Sequence, residues 1–190
     1  MLFIVRHGQT ELNSHWALQG RSDHPLNEQG EVQARAAAAA LHGIHFDHVF
    51  TSPLRRAVET ARIIAPNVPA AADNRLIEMD YGPYEGIDLR DPPPEVVTFF
   101  SDFVRNPAPA GMEQLSQVVA RTGAFLKEIK SLDGNILIST HAIAMKAMLE
   151  YLSPESQGGF WSRHIGNCAI YTVEMTSGAY GTPKEWEAGA

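Results

Sequence analysis

The amino-acid sequence predicts an α/β protein in which helices cover a mostly parallel β-sheet. Two successive units support this: residues 3–5 form a buried strand before a helix that Asn27 can cap, and residues 48–52 form a strand before a helix over about 54–65. Residues 135–140 carry the strongest strand pattern in the chain, and an apolar helical pattern follows them directly. Strands that alternate with helices are typical of parallel sheets.

The other segments predict a loop, a connector over residues 66–74, two helices and a last strand. Residues 11–23 are polar and glycine-punctuated, which indicates a loop with room for a helical turn. Residues 94–104 predict a short helix, residues 113–131 a long core-facing helix, and residues 168–173 a strand. Because prolines flank the short helix, we expect region 88–111 to form a small helical lid or insert over a site.

Length and composition predict a single domain over residues 1–190. The hydrophobic fraction of 44% and charged fraction of 19% argue against disorder. A net charge of -7 disfavours nucleic-acid binding and a polybasic membrane surface, so an anionic ligand would need a local cationic pocket. Cys168 is the only cysteine, which excludes an intrachain disulfide. With no leader-like apolar segment, we expect a cytoplasmic protein.

Arg6, His7 and Gly8 follow the first strand, at the end where open α/β sheets bind ligands. There His7 has the chemistry to attack or bind, Arg6 can hold an anion, and Gly8 lets the backbone approach a ligand closely. The alternative is a strand end whose charged residues merely reach water. His141 follows strand 135–140 in the same way, so the two histidines can face each other across one edge of the sheet.

Three further charged residues stand where a binding site would use them. Arg55 and Arg56 fall in the first turn of a predicted helix, where cations oppose the helix dipole and a ligand anion would offset that opposition. We expect one of the two to be simply solvated. Glu78 follows two apolar residues in a predicted short strand, from which its carboxylate either reaches the sheet edge for acid–base chemistry or faces solvent.

Five short blocks of these residue types follow one another along nearly the whole chain. They are Arg6-His7-Gly8 with Thr10 and Asn13; Gln19-Gly20 through Asp23 with Pro25, Leu26 and Gly30; Thr51-Ser52-x-Leu54-x-Arg56-Ala57 with Thr60-Ala61; Leu76-x-Glu78 through Gly82 with Glu85-Gly86; and Ser139-Thr140-His141. One tripeptide occurs often by chance, whereas five ordered blocks do not. In these blocks the chain resembles the histidine phosphatase superfamily, the phosphoglycerate mutase-like family.

The resemblance implies a three-layer α/β/α sandwich with a phosphate pocket at the strand ends. It implies a phosphomonoester hydrolase that acts on a small phosphorylated metabolite through a phosphohistidine intermediate, without a metal or other cofactor. Matched position by position, the family pattern assigns His7 as nucleophile, Glu78 as general acid, Arg6, Arg56 and His141 as the phosphate clamp, and Asn13, Gln19, Gly20 and Ala142 as further contacts.

Two positions depart from the family pattern. Ala142 stands where relatives usually have glycine after the second histidine, which would strain the backbone only if that position needs a positive φ. We expect it to be an ordinary first residue of a helix. Residues 111–113, Gly-Met-Glu, stand where many relatives have Gly-Glu-Ser, which leaves the substrate contact at Glu113 open.

The sequence also allows three other functions. A cofactor-dependent phosphoglycerate mutase is the nearest one, although such mutases carry Glu-Arg-His-Tyr-Gly where this chain has Glu-Met-Asp-Tyr-Gly at 78–82. A non-catalytic phosphate-binding regulatory module would not need Glu78. A metal site at His42, His45 and His48 is disfavoured because Gly43 interrupts any helix there. We expect neither nucleic acid nor membrane as a partner, and a homodimer is possible.

Overall fold

A six-stranded sheet forms the centre of the structure, a computed structural model that describes residues 1–176 and 178–186. Within these residues the strands are β1 Leu2–Arg6, β2 His48–Thr51, β3 Ala70–Ala72, β4 Ile136–Thr140, β5 Ile170–Val173, β6 Met175–Thr176, β7 Ala179–Tyr180 and β8 Lys184–Glu185. The α-helices are α1 Glu11–Ser14, α2 Glu28–Ala40, α3 Arg55–Ile64, α4 Pro94–Ser101, α5 Leu115–Ile129 and α6 Ala142–Leu152. The predicted domain also includes residues 177 and 187–190, which lie outside this description.

The order of the strands brings the two histidine-bearing segments together. The sheet runs β3-β2-β4-β1-β5-β8, in which the first four strands are parallel and the last two pairings are antiparallel. In the register of β1 against β4, Arg6 lies opposite Thr140. The residues that follow them, His7 and His141, therefore leave the sheet side by side at its carboxyl edge. The prediction of a mostly parallel sheet is confirmed.

Helices cover both faces of the sheet because side chains alternate along its strands. On one face, residues such as Ile4 and Ile138 pack against α5 and α6, with Phe125 and Met148 fully buried. On the other face, residues such as Val5 pack against α2 and α3. Both clusters exclude water from the sheet, which confirms the three-layer α/β/α sandwich.

A third apolar cluster joins the 88–111 region to the rest of the fold. Val96 and Phe99 of α4 are fully buried, and they pack in one cluster with Met79 and Trp161. Helix α4 ends at Ser101, three residues before the predicted end, because Asp102 adopts an extended backbone and its carboxylate accepts the Val104 amide at 2.9 Å. The region is therefore anchored by its own core contacts.

Three local predictions were wrong in position or type. Glu78 lies in no strand; a 3-10 turn, Asn74–Leu76, precedes it, and residues 77–81 are irregular. Strand β3 falls in the predicted connector, because three exposed alanines carry no strand signal. Cys168 lies before β5 at φ 56°, and its amide bonds to the Arg6 carbonyl. Among the described helices, none has the length and apolar character needed to cross a membrane.

Candidate active site

A group of buried polar side chains gathers at the carboxyl ends of β1, β2 and β4. His7 follows β1, His141 follows β4, and Arg56 stands in the first turn of α3 just beyond β2. The two imidazole centroids lie 5.1 Å apart. His7 is 3% exposed, and Arg56 and His141 are 0% exposed, so these groups are removed from bulk water. The structure thus brings together three of the residues that the sequence singled out.

His7 presents one unprotonated ring nitrogen to the site. Its Nδ1 lies 2.7 Å from the Gly8 carbonyl, and because a carbonyl only accepts, Nδ1 must carry the proton. Nε2 therefore keeps its lone pair, which faces Arg56 Nε at 3.2 Å. Burial, followed by the charges of Arg56 and Arg6, holds the pKa of His7 well below its usual range. A buried neutral imidazole with an unprotonated Nε2 is a competent nucleophile.

Arg56 joins the two histidines and the loop in front of them. Its Nε–H is shared between His7 Nε2 and His141 Nδ1, at 3.2 Å each. Its terminal nitrogens donate to the carbonyls of Ser22 and Gly20 at 2.7 and 2.6 Å. Burial lowers the pKa of the Arg56 guanidinium to about 10, which leaves it charged at neutral pH. Gly20 therefore contributes a carbonyl that orients Arg56.

The neighbouring Arg55 has a different environment. It is exposed, its side chain lies 3.4 Å from Glu59 one turn along α3, and its amide bonds to Asp23 at 2.7 Å. An exposed pair of this kind contributes little to stability. Of the two arginines in the first helical turn, only Arg56 enters the site.

His141 is held by a residue to which the sequence gave no role. Because Nδ1 of His141 accepts from Arg56, its Nε2 donates to Ser52 Oγ at 2.7 Å. Burial and the charge of Arg56 hold the pKa of His141 well below its usual range. Ser52 lies in the recognised Thr51-Ser52 block, so the signal was present, but spacing alone could not show which side chain its hydroxyl contacts.

Two buried donors near His7 lack a partner within the described part of the chain. Arg6 donates through Nη1 to the Ile165 carbonyl at 2.5 Å, while its Nε is unpartnered. Gln19 accepts through Oε1 from Thr10 at 2.7 Å and from Asn13 Nδ2 at 3.3 Å, while its Nε2 is unpartnered. Arg6, Asn13 and Gln19 all line the cavity that His7 faces. Such donors suit an anion, since burying them unpaired is costly.

Glu78 lies on the wall of the same cavity, at the N-terminus of α6. Its carboxylate is 3% exposed and accepts from the amides of Met79, Ile143 and Ala144 at 2.9, 3.2 and 3.0 Å.

The expectation for Ala142 is confirmed: it is the first residue of α6 and has no positive φ, so the alanine adds no backbone strain.

The irregular segment that carries Glu78 is held by a network of ion pairs. Arg121 donates to the Ile77 carbonyl at 2.6 Å and pairs with Glu113 at 2.8 Å. Glu113 also accepts from the Asp80 amide at 3.2 Å and from Arg21 at 3.3 Å. Glu113 does not line the cavity, so its contacts fix the Glu78 segment. A second carboxylate outside the predicted set, Glu85, anchors the Gly20–Ser22 loop by accepting from all three backbone amides of the loop and from the Ser22 hydroxyl.

The cavity has a volume of about 710 Å³ and extends away from the histidines. Its far wall comes from the 88–111 region, α6 and the segment after it, through Leu89, Phe100, Phe103, Val104, Lys146 and Trp161. Phe99, in contrast, is core. The 88–111 region therefore contributes side chains to the cavity wall, whereas Lys146 and Trp161 were missed because they carry no motif.

The histidines outside this site belong to no metal-binding cluster in residues 1–176 and 178–186. No three His, Cys, Asp or Glu side chains cluster there in an arrangement that could hold a metal ion. His42 and His45 are exposed on the turn after α2, and His48 begins β2.

Comparisons with known proteins agree with this geometry. The sequence profile of the histidine phosphatase superfamily (branch 1) matches residues 2–187. Phosphoserine phosphatase 1 of Hydrogenobacter thermophilus is 30% identical, covering 92% of this chain and 86% of that protein. A 2,3-bisphosphoglycerate-dependent phosphoglycerate mutase 2 of Gloeobacter violaceus is 32% identical, with 82% and 78% covered. The structure of a mycobacterial glucosyl-3-phosphoglycerate phosphatase complexed with VO3 superposes with a TM-score of 0.86 at 25% identity, with 99% and 98% covered.

These matches span nearly the whole chain and include phosphatases by both sequence and structure. These similarities confirm the prediction of a phosphoric monoester hydrolase. The chain belongs to the histidine phosphatase superfamily, branch 1.

Proposed function

We propose that the protein hydrolyses phosphate monoesters of small metabolites by transferring the phosphoryl group to His7 and then to water. The observation that carries this proposal is the unprotonated Nε2 of a buried, neutral His7, which faces the Arg56 guanidinium in a cavity that also has unpartnered donors of Arg6 and Gln19. This arrangement combines a nucleophile with preorganised positive charge, which is what phosphoryl transfer requires.

In the first step, His7 Nε2 forms a bond to phosphorus while the bond between phosphorus and the ester oxygen breaks. Glu78 supplies the proton that the leaving alkoxide needs, since its carboxyl group lies on the wall of the same cavity. In the second step, Glu78 takes a proton from water, the water oxygen bonds to phosphorus, and the bond to His7 breaks. Inorganic phosphate and free His7 result, so atoms and protons balance.

Positive charge stabilises the transferred group in both steps. Arg6 and Arg56 are guanidinium groups in fixed positions, and His141 helps to hold Arg56 by accepting from its Nε. Asn13 and Gln19 add amide donors on the cavity side. Fixed donors do not reorganise as charge develops, so their contribution to lowering the barrier is large.

The decisive assay measures phosphate release from a panel of metabolite phosphates, with His7→Ala as the blank. We expect release that His7→Ala abolishes and that a chelator does not affect. Retained activity in His7→Ala, or a wild type inert on every ester, would instead favour the non-catalytic phosphate-binding module. That module has no use for Glu78.

A phosphoglycerate mutase is the second candidate, because the mutase from Gloeobacter violaceus is 32% identical to this chain. Met79 and Asp80 stand where the mutase pattern has arginine and histidine, and the Asp80 carboxylate pairs with Arg21 rather than lining the cavity. We therefore favour water as the acceptor. Conversion of 3-phosphoglycerate to 2-phosphoglycerate at a rate far above hydrolysis would reverse this choice.

The proposal places the reaction in the cytoplasm on free small molecules rather than on nucleic acid or membrane lipid. The net charge of -7 supports small molecules over nucleic acid as substrates, because a polyanion would be repelled outside the local cationic pocket. We further propose that the 88–111 region acts as a lid over the site. A homodimer stays a prediction that sedimentation of the purified protein tests directly.

A further inference from the structure

Glu85 lies against the Gly20–Ser22 loop, and no step of the reaction above uses it. Backbone pairing brings the two together. The Leu18 amide donates to the Ile87 carbonyl at 2.9 Å, and the Gly86 amide donates to the Leu18 carbonyl at 2.8 Å. Because these bonds join the residues just before the loop to the residues just after Glu85, the carboxylate is placed beside the loop by the fold itself.

Four hydrogen bonds converge on the Glu85 carboxylate. Its Oε1 accepts from the Gly20 amide at 2.9 Å, from the Ser22 amide at 3.0 Å and from the Ser22 hydroxyl at 2.5 Å, and its Oε2 accepts from the Arg21 amide at 3.0 Å. Burial raises the pKa of Glu85, but these bonds outweigh burial and hold the pKa below its usual range. Glu85 is therefore an ionised group in a nest of successive backbone amides.

The peptide group between Gly20 and Arg21 lies between the Glu85 carboxylate and the Arg56 guanidinium. Its carbonyl, that of Gly20, accepts from Arg56 Nη2 at 2.6 Å, and its amide, that of Arg21, donates to Glu85. The C=O and N–H of a trans peptide point in opposite directions, so its dipole is aligned between the two charges. The Ser22 carbonyl accepts from Arg56 Nη1 at 2.7 Å. Both carbonyls that hold Arg56 thus belong to a loop whose amides Glu85 holds.

The packing at Gly20 shows how closely the loop lies on Glu85. An ideal Cβ at Gly20 would lie 2.8 Å from Glu85 Oε2 and 2.7 Å from the Met79 carbonyl oxygen, which is a backbone atom and cannot swing away. Gln19, whose Nε2 is unpartnered in the described part of the chain, precedes Gly20 and lines the cavity. The anchored loop therefore supports a second donor of the site as well as Arg56.

We propose that Glu85 is a positioning residue for phosphate binding, which acts through the Gly20–Ser22 loop to fix the orientation of the Arg56 guanidinium. This inference rests on the proposed hydrolase function of the same site. The orientation matters because Arg56 Nε lies 3.2 Å from His7 Nε2, the atom that bonds to phosphorus in the proposed reaction. A guanidinium that can turn has to reorganise as charge develops, so it stabilises the transition state less than a fixed one.

Titration calorimetry with inorganic phosphate tests the proposal without turnover. We measure Kd for the wild type, Glu85→Ala, Arg56→Lys and the double variant. Arg56→Lys keeps a positive charge for phosphate but lacks the planar fork that reaches both loop carbonyls. We expect Glu85→Ala to raise Kd by about tenfold in the wild type and by less than about twofold in Arg56→Lys, because residues of one network are not additive. An unchanged Kd in Glu85→Ala, or the same increase in both backgrounds, would overturn the proposal.

Two further variants separate this role from a general loss of stability. Glu150→Ala is the matched control, because the Glu150 carboxylate also accepts from two loop amides and a serine hydroxyl, within residues 156–160. It should lower Tm but leave Kd within about twofold, and an increase as large as that of Glu85→Ala would contradict the proposal. Glu85→Gln keeps the side-chain volume and an Oε1 for three of the four bonds, so it should raise Kd by less than Glu85→Ala. The reverse order would contradict support through these bonds.

The phosphate titration also separates this inference from the proposed function. A wild type that binds phosphate but releases none from any ester would refute the hydrolase function, while the Kd values would still decide the role of Glu85. A wild type that binds no phosphate would refute both.

Discussion

Replacement of Gly30 by alanine tests how tightly the nucleophile loop is packed. Gly30 lies in the first turn of α2, where the Asn27 side chain caps its amide at 2.8 Å. An ideal Cβ at Gly30 would lie 2.8 Å from the Gln9 nitrogen and closer still to the Gln9 carbonyl oxygen. Both are backbone atoms of the segment that follows His7, so they cannot swing away as a flexible side chain could.

The expected loss of stability is a balance of three contributions. Alanine favours the helix by about 1 kcal/mol over glycine. Overpacking costs about 1–3 kcal/mol, and displacement of the Gln9 carbonyl weakens its bond to the Asn27 amide, worth about 1 kcal/mol. The net destabilisation is about 1–3 kcal/mol, or a fall in Tm of roughly 3–10 °C for a chain of this length.

Thermal unfolding and kcat/KM on one ester check this prediction together. Gly166→Ala is the matched control, because a Cβ there meets no atom within 4 Å. We expect Gly166→Ala to leave Tm nearly unchanged, and Gly30→Ala to lower both Tm and kcat/KM through displacement of the His7 segment. A Gly30→Ala variant as stable and active as the wild type would refute the close packing of α2 on this loop.

Further predictions concern the residues around the two imidazoles. Ser52→Ala removes the hydroxyl that orients His141, so we expect kcat to fall by about tenfold, equivalent to about 1.4 kcal/mol of barrier, in steady-state kinetics. Arg56→Ala should reduce kcat/KM by at least 100-fold while Arg55→Ala stays within about twofold, because only Arg56 contacts the site; similar losses would contradict the assignment. His7 and His141 have lowered pKa values, so below about pH 6.5 the unfolded chain takes up protons that the folded protein does not. The free energy of unfolding measured in urea titrations should therefore decrease as the pH is lowered, by up to about 1.4 kcal/mol per pH unit for each histidine. A urea midpoint that is the same at pH 7.5 and pH 5.5 would contradict this.

The sequence predicted the framework of the site because two of its strand patterns are each followed directly by a histidine. The apolar runs before His7 and His141 placed both residues at one edge of a parallel sheet, and the structure has them there. Asn27 caps α2 as its residue type suggested. These features depend on local sequence, in which the periodicity of hydrophobic residues and the residues that cap helices are informative.

The sequence carries less information where tertiary contacts decide the structure. Glu78 lies in an irregular segment held by Glu113 and Arg121, 35 and more residues away in the chain, so no local pattern could place it. Strand β3 forms from alanines because β2 offers a parallel partner, despite their weak strand preference. Lys146 lies in an apolar helix without a motif, and only the packing of Phe103 and Trp161 around it shows that it faces the cavity.

Trapping of the phosphoenzyme tests the central claim most directly. Glu78→Gln should still accept phosphate from p-nitrophenyl phosphate, since nitrophenolate departs without a proton, but it should hydrolyse the intermediate slowly because no base activates water. After a rapid alkaline quench, we expect an acid-labile phosphoryl group on the peptide that contains His7. A phosphoryl group on any other residue, or turnover by the wild type with no phosphoenzyme in either protein, would contradict nucleophilic catalysis by His7.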